Sequence, residues 1–268
     1  MKKFIRGFVA GVVMVAISAM PAMAGHWGYE GQDGVYAPED WGHVSEFCNG
    51  ASQSPIDIQT KKVIRGGADI SFDQKGDTVE YINNGHAVVV NPAERSITVN
   101  GKLYTLVQFH FHTLSEHTVD GRFYDMEMHM VHADDAWLAG DTVNGRLAVL
   151  GVFIKRGDKN ETLEKIFEEL PPVAEGEEPE IFIAKMVTNY GNLLPRDSKV
   201  FSYQGSLTTP TCNEVVSWFV YEKPIELSGG QIEAYRALYH NEDGSRYDTN
   251  RPIQPLNGRV VSYGSITN

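Results

Sequence analysis

Histidines alternate with aromatic residues in one short segment, and this pattern limits the folds that the chain can adopt. The segment reads Gln108-Phe109-His110-Phe111-His112. Successive side chains of a β-strand point to opposite faces, so a strand here places Gln108 and both histidines on one face and both phenylalanines on the other. Two imidazoles then lie side by side, with Cβ atoms roughly 7 Å apart. The segment therefore predicts a strand with one polar and one apolar face.

A second segment with the same alternation follows after a turn. Asp120-Gly121 indicates the turn, and Glu127-Met128-His129-Met130-Val131 then sets Glu127, His129 and Val131 on one face. If the two strands pair, His129 comes opposite the histidines of the first strand. We therefore expect three imidazoles to converge on one point.

The three converging histidines predict a zinc site formed by His110, His112 and His129. Three neutral imidazoles suit a tetrahedral Zn²⁺ whose fourth position is left to water, which is the arrangement of a catalytic site. Gln108 and Glu127 each lie two residues before a predicted ligand on the same face, where they can accept the second ring N–H and orient the imidazole. The alternative is ordinary histidines satisfied by their neighbours in half-buried strands, and the paired orienting residues disfavour it.

Short runs with alternating or β-branched residues recur along the chain and predict strands. They cover 78–82, 86–90, 96–99, 104–112, 124–132, 147–155, 199–203 and 215–220. Helical signals are limited to two places. One is a helix that Asn160 could cap, with Leu163, Ile166, Phe167 and Leu170 on one face, and the other begins at a Ser228-x-x-Gln231 capping box. The predicted fold is mainly β, with short peripheral helices and a large central, mostly antiparallel mixed β-sheet in a single domain, residues 25–268.

Residues 1–24 have the features of a signal peptide. Three cations precede an apolar run, and Ala22-Met23-Ala24 is the small-x-small pattern that signal peptidase cleaves, so we expect cleavage after Ala24. A membrane anchor is the alternative, but the apolar run is shorter than the roughly 20 residues that a bilayer requires. The mature chain is therefore expected in the periplasm or outside the cell, without a membrane segment.

Charge and cysteine content exclude several classes of protein. Lys and Arg number 23 against 35 Asp and Glu, a formal charge of −12, so nucleic acid and anionic membranes are not expected as partners. The segment 171–180 is predicted to be an acidic surface loop.

The chain has two cysteines. Cys48 and Cys212 allow one disulfide at most, with two buried free thiols as the alternative. The oligomeric state stays open, a homodimer included.

With these motifs in place, the chain resembles an α-class carbonic anhydrase of the exported bacterial type over nearly the whole predicted mature sequence. Nine motifs occur in the order of that family. They are His26-Trp27-Gly28-Tyr29, Gln53-Ser54-Pro55-Ile56-Asp57-Ile58, Asn83-Asn84-Gly85-His86, Gln108-Phe109-His110-Phe111-His112, Ser115-Glu116-His117-Thr118-Val119-Asp120, Glu127-Met128-His129-Met130-Val131-His132, Leu147-Ala148-Val149-Leu150-Gly151, Gly205-Ser206-Leu207-Thr208-Thr209-Pro210 and Arg251-Pro252-Ile253-Gln254-Pro255-Leu256.

The resemblance implies an activity and a role for each motif. It implies reversible hydration of CO2 to bicarbonate and a proton by attack of zinc-bound hydroxide, with one Zn²⁺ per chain. Thr208 is expected to orient the hydroxide while it donates to Glu116, and His86 is expected to be the proton shuttle. The resemblance also implies a water network at Tyr29, Asn84 and Thr209, a CO2 site lined by Val131, Val149, Leu207, Val216 and Trp218, and a disulfide between Cys48 and Cys212.

Two further expectations concern residues that contact a zinc ligand or lie beside one. The family orients the second zinc ligand with a backbone carbonyl just before Arg251, and here Thr249 or Asn250 must supply it. His117 is expected to be structural, with a hydrogen bond to Tyr203.

Three other functions are alternatives, and the sequence disfavours each of them. The spacing His110-x-His112-x3-Glu116 matches the first metal motif of a cupin oxygenase and would make Glu116 a ligand for iron or manganese, but the second cupin motif is missing. A zinc peptidase is disfavoured because the sequence has no His-Glu-x2-His. A noncatalytic carbonic-anhydrase-like binding module is expected to have lost a zinc ligand, and all three are present.

Overall fold

The fold is described from a computed structural model, which covers residues 26–73, 77–92, 95–171, 182–186, 193–195 and 199–267. The predicted signal peptide, 1–24, lies outside these residues, as does the acidic loop apart from Pro171. No helix within the described ranges is both long enough and apolar enough to span a bilayer.

Fourteen strands and four short α-helices are present in the described part of the chain. The strands are β1 (Asp57–Ile58), β2 (Ile64–Arg65), β3 (Ala68–Asp73), β4 (Asp77–Asn83), β5 (Val88–Pro92), β6 (Ser96–Val99), β7 (Lys102–His112), β8 (Thr118–Val119), β9 (Met126–Ala133), β10 (Leu147–Arg156), β11 (Phe182–Met186), β12 (Lys199–Gly205), β13 (Val216–Leu227) and β14 (Ser262–Thr267). The helices are α1 (Trp41–Val44), α2 (Asp135–Leu138), α3 (Glu164–Glu168) and α4 (Gly229–Arg236). Single 3-10 turns cover Pro38–Asp40 and Glu46–Asn49.

One large mixed sheet organises the described residues. Eleven strands follow the order β11-β4-β5-β7-β6-β3-β14-β12-β13-β10-β9, and β2 pairs with β14 beside them. Most neighbours are antiparallel, while β10 and β13 run parallel. The terminal strand β9 also pairs with β7 inside the path. The predicted fold class, mainly β around a central mixed sheet, is confirmed.

The pairing of β7 with β9 determines where the histidines lie. Their antiparallel register puts His110 directly opposite His129. The apolar faces of the same strands, which carry Phe109, Phe111 and Met128, are buried in the main hydrophobic core. Removing large side chains such as these from water stabilises the fold by roughly 1.5–3 kcal/mol each. Burial of the apolar face thus fixes the register and leaves the histidines on the opposite side.

The observed elements differ from the predicted ones mainly in extent. Strand β13 runs to Leu227, beyond the predicted end at 220. Six strands lie outside the predicted runs: β1, β2, β3, β8, β11 and β14. Three of them, β1, β2 and β8, have only two residues, and the sequence ADISFD of β3 contains few of the residues that favour strands. The Ser228 capping box is present at the start of α4, and Asn160 Oδ1 caps the turn that precedes α3.

Candidate metal centre and active site

Three imidazoles lie together on the polar side of β7 and β9. The ring centroids of His110 and His112 are 4.8 Å apart, and those of His129 lie 5.3 Å from His110 and 4.8 Å from His112. One ring nitrogen from each histidine lies within 4.8 Å of the other two. The structure therefore brings together the three histidines that the sequence predicts as ligands.

Each of these imidazoles has one nitrogen held by an acceptor and the other directed at the common point. The pairs are His110 Nδ1 with Gln108 Oε1 at 2.8 Å, His112 Nδ1 with the Thr249 carbonyl oxygen at 2.6 Å, and His129 Nε2 with Glu127 Oε1 at 2.9 Å. The nitrogens left for a cation are thus Nε2 of His110, Nε2 of His112 and Nδ1 of His129. The sequence left Thr249 and Asn250 as candidates for the carbonyl that orients His112, and in the structure it is the Thr249 carbonyl.

Burial favours the neutral form of two of the ligand candidates, His110 and His112. It lowers the pKa of His110 well below its usual value, and the neighbouring imidazoles lower it further. The pKa of His112 is also lowered by burial, although Glu116 acts in the opposite direction. A neutral imidazole keeps the lone pair that a metal requires.

Glu127 is the centre of a buried hydrogen-bond network behind His129. Its Oε1 accepts from His117 Nδ1 at 2.7 Å as well as from His129, and its Oε2 accepts the backbone N–H groups of Glu116 and His117. Burial alone would raise the pKa of Glu127, but His117 and His129 hold it well below its usual value. The His117–Glu127–His129 group could by its spacing also hold an ion. We interpret it as a hydrogen-bond network, because Glu127 already occupies one nitrogen of each histidine.

The predicted contact between His117 and Tyr203 is confirmed. His117 Nε2 lies 2.7 Å from the Tyr203 hydroxyl, and both side chains are buried. His117 is thus held at both ring nitrogens and has no nitrogen left for a cation.

Glu116 and Thr208 are both buried, but the hydrogen bond that the resemblance implied between them is not formed. Glu116 Oε1 accepts the backbone N–H of Arg251 at 2.8 Å, while Oε2 has no hydrogen-bond partner among the described residues. Oε2 instead faces His112 Nε2 at 3.5 Å and His129 Nδ1 at 3.7 Å. Glu116 Oε2 therefore lies beside two of the ring nitrogens that are left for a cation, and it makes no hydrogen bond with Thr208.

Apolar side chains cover one side of the centre. Val131, Val149, Val216 and Trp218 belong to one buried cluster, and half-buried Leu207 packs against it. Strand register explains the grouping, because Val149 lies opposite Val131 on β9 and opposite Trp218 on β13. The Trp218 ring centroid is 4.8 Å from that of His129. The five residues predicted to form the CO2 site thus share one surface beside a ligand candidate.

His86 lies in the turn between β4 and β5, away from the three ligand candidates. Asn84 Oδ1 accepts the backbone N–H groups of His86 and Ala87 and so fixes the turn. The His86 ring stacks on Trp27, with centroids 3.7 Å apart and planes inclined by 10°, and exposed His26 lies 6.0 Å away. Burial, with a further contribution from His26, lowers the pKa of His86 to about 4.

Tyr29 and the two cysteines were also assigned roles from the sequence. Tyr29 is fully buried, its ring centroid is 6.5 Å from that of His112, and its hydroxyl has no hydrogen-bond partner in the described part of the chain. The Cys48–Cys212 disulfide is present. The Cys212 N–H donates to the Thr209 carbonyl at 2.8 Å, so the disulfide is attached to the loop that carries Thr208 and Thr209.

Two residues near the site were not assigned a role from the sequence. The Arg251 guanidinium is buried and bonds Gln53 Oε1 and the Ser54 carbonyl, while its backbone N–H holds Glu116. Trp27 covers His86. Both residues belong to motifs that the chain shares with the family, and membership of a motif is the only signal in the sequence that marks them. Their contacts join segments far apart in the chain, so local patterns do not predict these contacts.

Comparison with known proteins agrees with this geometry. Residues 36–265 match the family model for eukaryotic-type carbonic anhydrase. The chain belongs to the α-carbonic anhydrase family. It is 38% identical to a carbonic anhydrase of Klebsiella pneumoniae, over 92% of this chain and 96% of that one, and 37% identical to one of Neisseria gonorrhoeae, over 93% and 94%.

Solved structures of the family have the same fold. A hyperthermostable carbonic anhydrase from an active hydrothermal vent chimney superposes with a TM-score of 0.75 at 38% identity, over 90% of this chain and all of that one. An α-carbonic anhydrase from Thermovibrio ammonificans, in complex with the inhibitor sulfanilamide, gives a TM-score of 0.73 at 39% identity, over 89% and 99%. The chain is therefore an enzyme of the carbonic anhydrase family, whose reaction is the hydration of CO2.

Proposed function

We propose that this enzyme is zinc-dependent and hydrates CO2 reversibly to bicarbonate and a proton at the His110–His112–His129 centre. The observation that carries the proposal is the set of three buried or half-buried imidazoles, each with one nitrogen fixed by an acceptor and the other directed at one point. Fixed second nitrogens are the usual companions of metal-binding histidines.

The donor set fits Zn²⁺. It consists of three imidazole nitrogens, and buried His112 Nε2 has no hydrogen-bond partner among the described residues. A buried polar atom in that state costs roughly 1–3 kcal/mol, and a metal bond would remove this cost. When bound, Zn²⁺ supplies a Lewis acid that lowers the pKa of water at its fourth position to about 7 and so provides a nucleophile near neutral pH.

The protein residues would orient the reactants and exclude water. The apolar surface of Val131, Val149, Leu207, Val216 and Trp218 suits CO2, which has no charge or dipole. We assign Thr208 the orienting role. A threonine hydroxyl that donates to Glu116 Oε2, an atom without a hydrogen-bond partner among the described residues, would be able only to accept from the nucleophile and would so direct the attacking oxygen. Gln108 and Glu127 hold the ligand imidazoles in place.

We assign His86 to proton export, with Tyr29, Asn84 and Thr209 along the path from the centre. Each turnover releases one proton, and an imidazole can accept it and pass it to buffer. A base with a pKa of about 4 is neutral at pH 7 but accepts a proton poorly, because efficient transfer requires a pKa near the working pH. We therefore expect external buffer to contribute to turnover already in the unmodified enzyme.

We further propose that the mature enzyme is exported. The disulfide indicates folding in an oxidising compartment, as outside the bacterial cytoplasm. The motif at 1–24 supplies the signal. Sequencing of the N-terminus after expression with this segment tests the cleavage site, which we place after Ala24.

The proposed function is tested on purified chain 25–268 by metal analysis and a stopped-flow CO2 hydration assay. We expect one zinc per chain and hydration that sulfanilamide inhibits. His129→Ala is expected to lose zinc and activity, while His132→Gln, a matched change of a buried histidine three residues away, keeps both. Iron with oxygen uptake would favour a cupin-like oxygenase, and bound zinc without hydration would favour a binding module; either result contradicts the proposal.

His86→Ala tests the shuttle separately. Turnover in weak buffer should fall, and added imidazole should restore part of it, because free imidazole can carry the proton in place of the side chain. A variant with lowered turnover that imidazole leaves unchanged would remove His86 from the pathway.

A further inference from the structure

The hydroxyl of Tyr235 on α4 is buried at a junction behind the metal centre. It donates to the Phe111 carbonyl oxygen at 2.6 Å and accepts from the Val88 N–H at 3.4 Å and from the Tyr239 hydroxyl at 3.3 Å. All four residues have no exposed surface. One donated and two accepted bonds use the full capacity of a phenolic hydroxyl.

The two backbone groups that Tyr235 joins belong to neighbouring strands of the sheet. Strands β5 and β7 pair antiparallel, with Val89 opposite His110 and Val90 opposite Phe109. The next position of the same register would bring Val88 opposite Phe111. At that position the Tyr235 hydroxyl lies between the two strands and contacts both.

The direction of the Val88 N–H follows from the preceding turn. The Asn84 N–H donates to the Ala87 carbonyl, so the backbone groups of Ala87 face β4. Backbone groups alternate between the two edges of a strand, so those of Val88 face β7. In a continuous ladder the Val88 N–H would reach the Phe111 carbonyl directly, at about 2.9 Å. Tyr235 takes the place of that ladder bond and separates the strands where β5 begins.

This junction connects the two parts of the proposed reaction. Phe111 lies between the ligand candidates His110 and His112, and Val88 lies two residues after His86. A change in the spacing between Val88 and Phe111 therefore changes the spacing between the proton acceptor and the metal centre. Proton transfer depends strongly on such spacing, since a misplacement of about 1 Å can cost a large factor in rate.

We propose that Tyr235 is a positioning residue for proton transfer: its hydroxyl sets the distance between the turn that carries His86 and the strand that carries His110 and His112. The proposal rests on the proposed function, because it assigns proton export to His86. Tyr235 acts through the backbone of β5 and β7 and does not touch the reacting atoms.

Tyr235→Phe tests this role, because phenylalanine keeps the ring in the gap and removes only the bridging oxygen. The Val88 N–H and the Phe111 carbonyl then lose their shared partner, and the turn loosens. We expect hydrogen exchange of the Val88 amide to be about tenfold faster, the usual effect of losing one buried hydrogen bond. We expect kcat in weak buffer to fall about fivefold and to recover with imidazole. The ratio kcat/KM should stay within about twofold, because the proton leaves after bicarbonate has formed.

Tyr239→Phe is the matched control. It removes one bond to the same hydroxyl and leaves the bridge between β5 and β7, so the exchange of Val88 and the kinetics should remain those of the unmodified enzyme. Zinc content is measured for all three proteins. Unchanged Val88 exchange, unchanged kcat, or a parallel loss of kcat and kcat/KM without imidazole rescue would each overturn the role of Tyr235. Failure of the proposed function gives a different result: the unmodified, zinc-loaded enzyme then does not hydrate CO2.

Discussion

The imidazole of His86 lies flat against the indole of Trp27, with 3.7 Å between ring centroids and 10° between planes. Trp27 itself is anchored by edge contacts to Tyr29 and Trp41. The N-terminal segment therefore covers one face of the group to which we assign proton export, and His86 is left half-buried. The basicity of His86 is thus determined by a residue 59 positions before it.

Trp27→Ala is expected to raise the pKa of His86 from about 4 towards 6.5, because burial is the larger cause of the lowered value. Titration of the His86 ring by NMR measures the shift. A higher pKa improves proton acceptance near pH 7, so kcat in weak buffer should rise as well. His26→Ala is the matched variant and should give a smaller rise. A His86 pKa that stays near 4 after removal of the indole would show that Trp27 does not control it.

Glu127→Gln is expected to weaken zinc binding about 10- to 100-fold, the usual effect of losing an orienting group behind a metal ligand. Both carboxylate oxygens of Glu127 accept hydrogen bonds, and an amide nitrogen in either position would face a donor. Competition with a chelator gives the zinc affinity. Glu226→Gln, which changes a partly exposed carboxylate on β13, serves as the control and should leave the affinity unaltered. Equal zinc affinities of the two variants would contradict the role of Glu127.

Thr208→Ala is expected to lower kcat/KM roughly 100-fold at full zinc content, because the attacking oxygen loses its orientation. Thr208→Ser keeps the hydroxyl and should retain most of the activity. Stopped-flow CO2 hydration measures both variants. Near-normal activity of the alanine variant would remove Thr208 from the mechanism.

His132 makes stability depend on pH. Burial lowers its pKa to about 4, and its Nδ1 lies 3.2 Å from the Ala148 carbonyl oxygen. The unfolded chain, with a pKa near ~6.5, binds a proton there that the folded chain does not. This contribution is therefore complete above pH 6.5 and is lost as the pH falls towards 4, on the order of 3 kcal/mol in the free energy of unfolding.

Urea unfolding between pH 4.5 and 7.5 measures this dependence. His132→Gln should flatten the curve relative to the unmodified chain, while the other histidines with lowered pKa values contribute equally to both. Parallel curves for the two proteins would show that His132 does not contribute.

Replacement of both cysteines by serine is expected to lower the free energy of unfolding by about 2–5 kcal/mol, because the 164-residue loop that the disulfide closes gains freedom in the unfolded chain. Activity should fall as well, since the disulfide tethers Cys212, whose backbone bonds the loop that carries Thr208 and Thr209, to the N-terminal region. Denaturant unfolding and the hydration assay measure the two effects. Unchanged stability of the double variant would contradict the expectation.

Much of the metal centre could be predicted from the sequence. Alternation along β7 placed Gln108 with His110 and His112, and alternation along β9 placed Glu127 with His129; both orienting contacts are present. The sequence also predicted the capping box of Ser228 and Gln231, which is present at the start of α4. These features depend on two to four consecutive residues, and over that distance backbone geometry alone fixes which side chains are neighbours.

Other features could not be read in this way. The hydrogen bond between Thr208 and Glu116, implied by resemblance, is absent from the described contacts because Glu116 faces the imidazoles instead. No pattern in the sequence indicates that the hydroxyl of Tyr235 joins two strands.

The sequence by itself determined the strand faces, the three histidines and two of their orienting residues, since these follow from the two-residue period of an extended chain. Only the tertiary structure decided that Thr249 supplies the third acceptor, that Arg251 holds Glu116 and that Trp27 covers His86. Those contacts join residues separated by 137, 135 and 59 positions, and they form only when packing of the core has fixed the register of distant strands and loops.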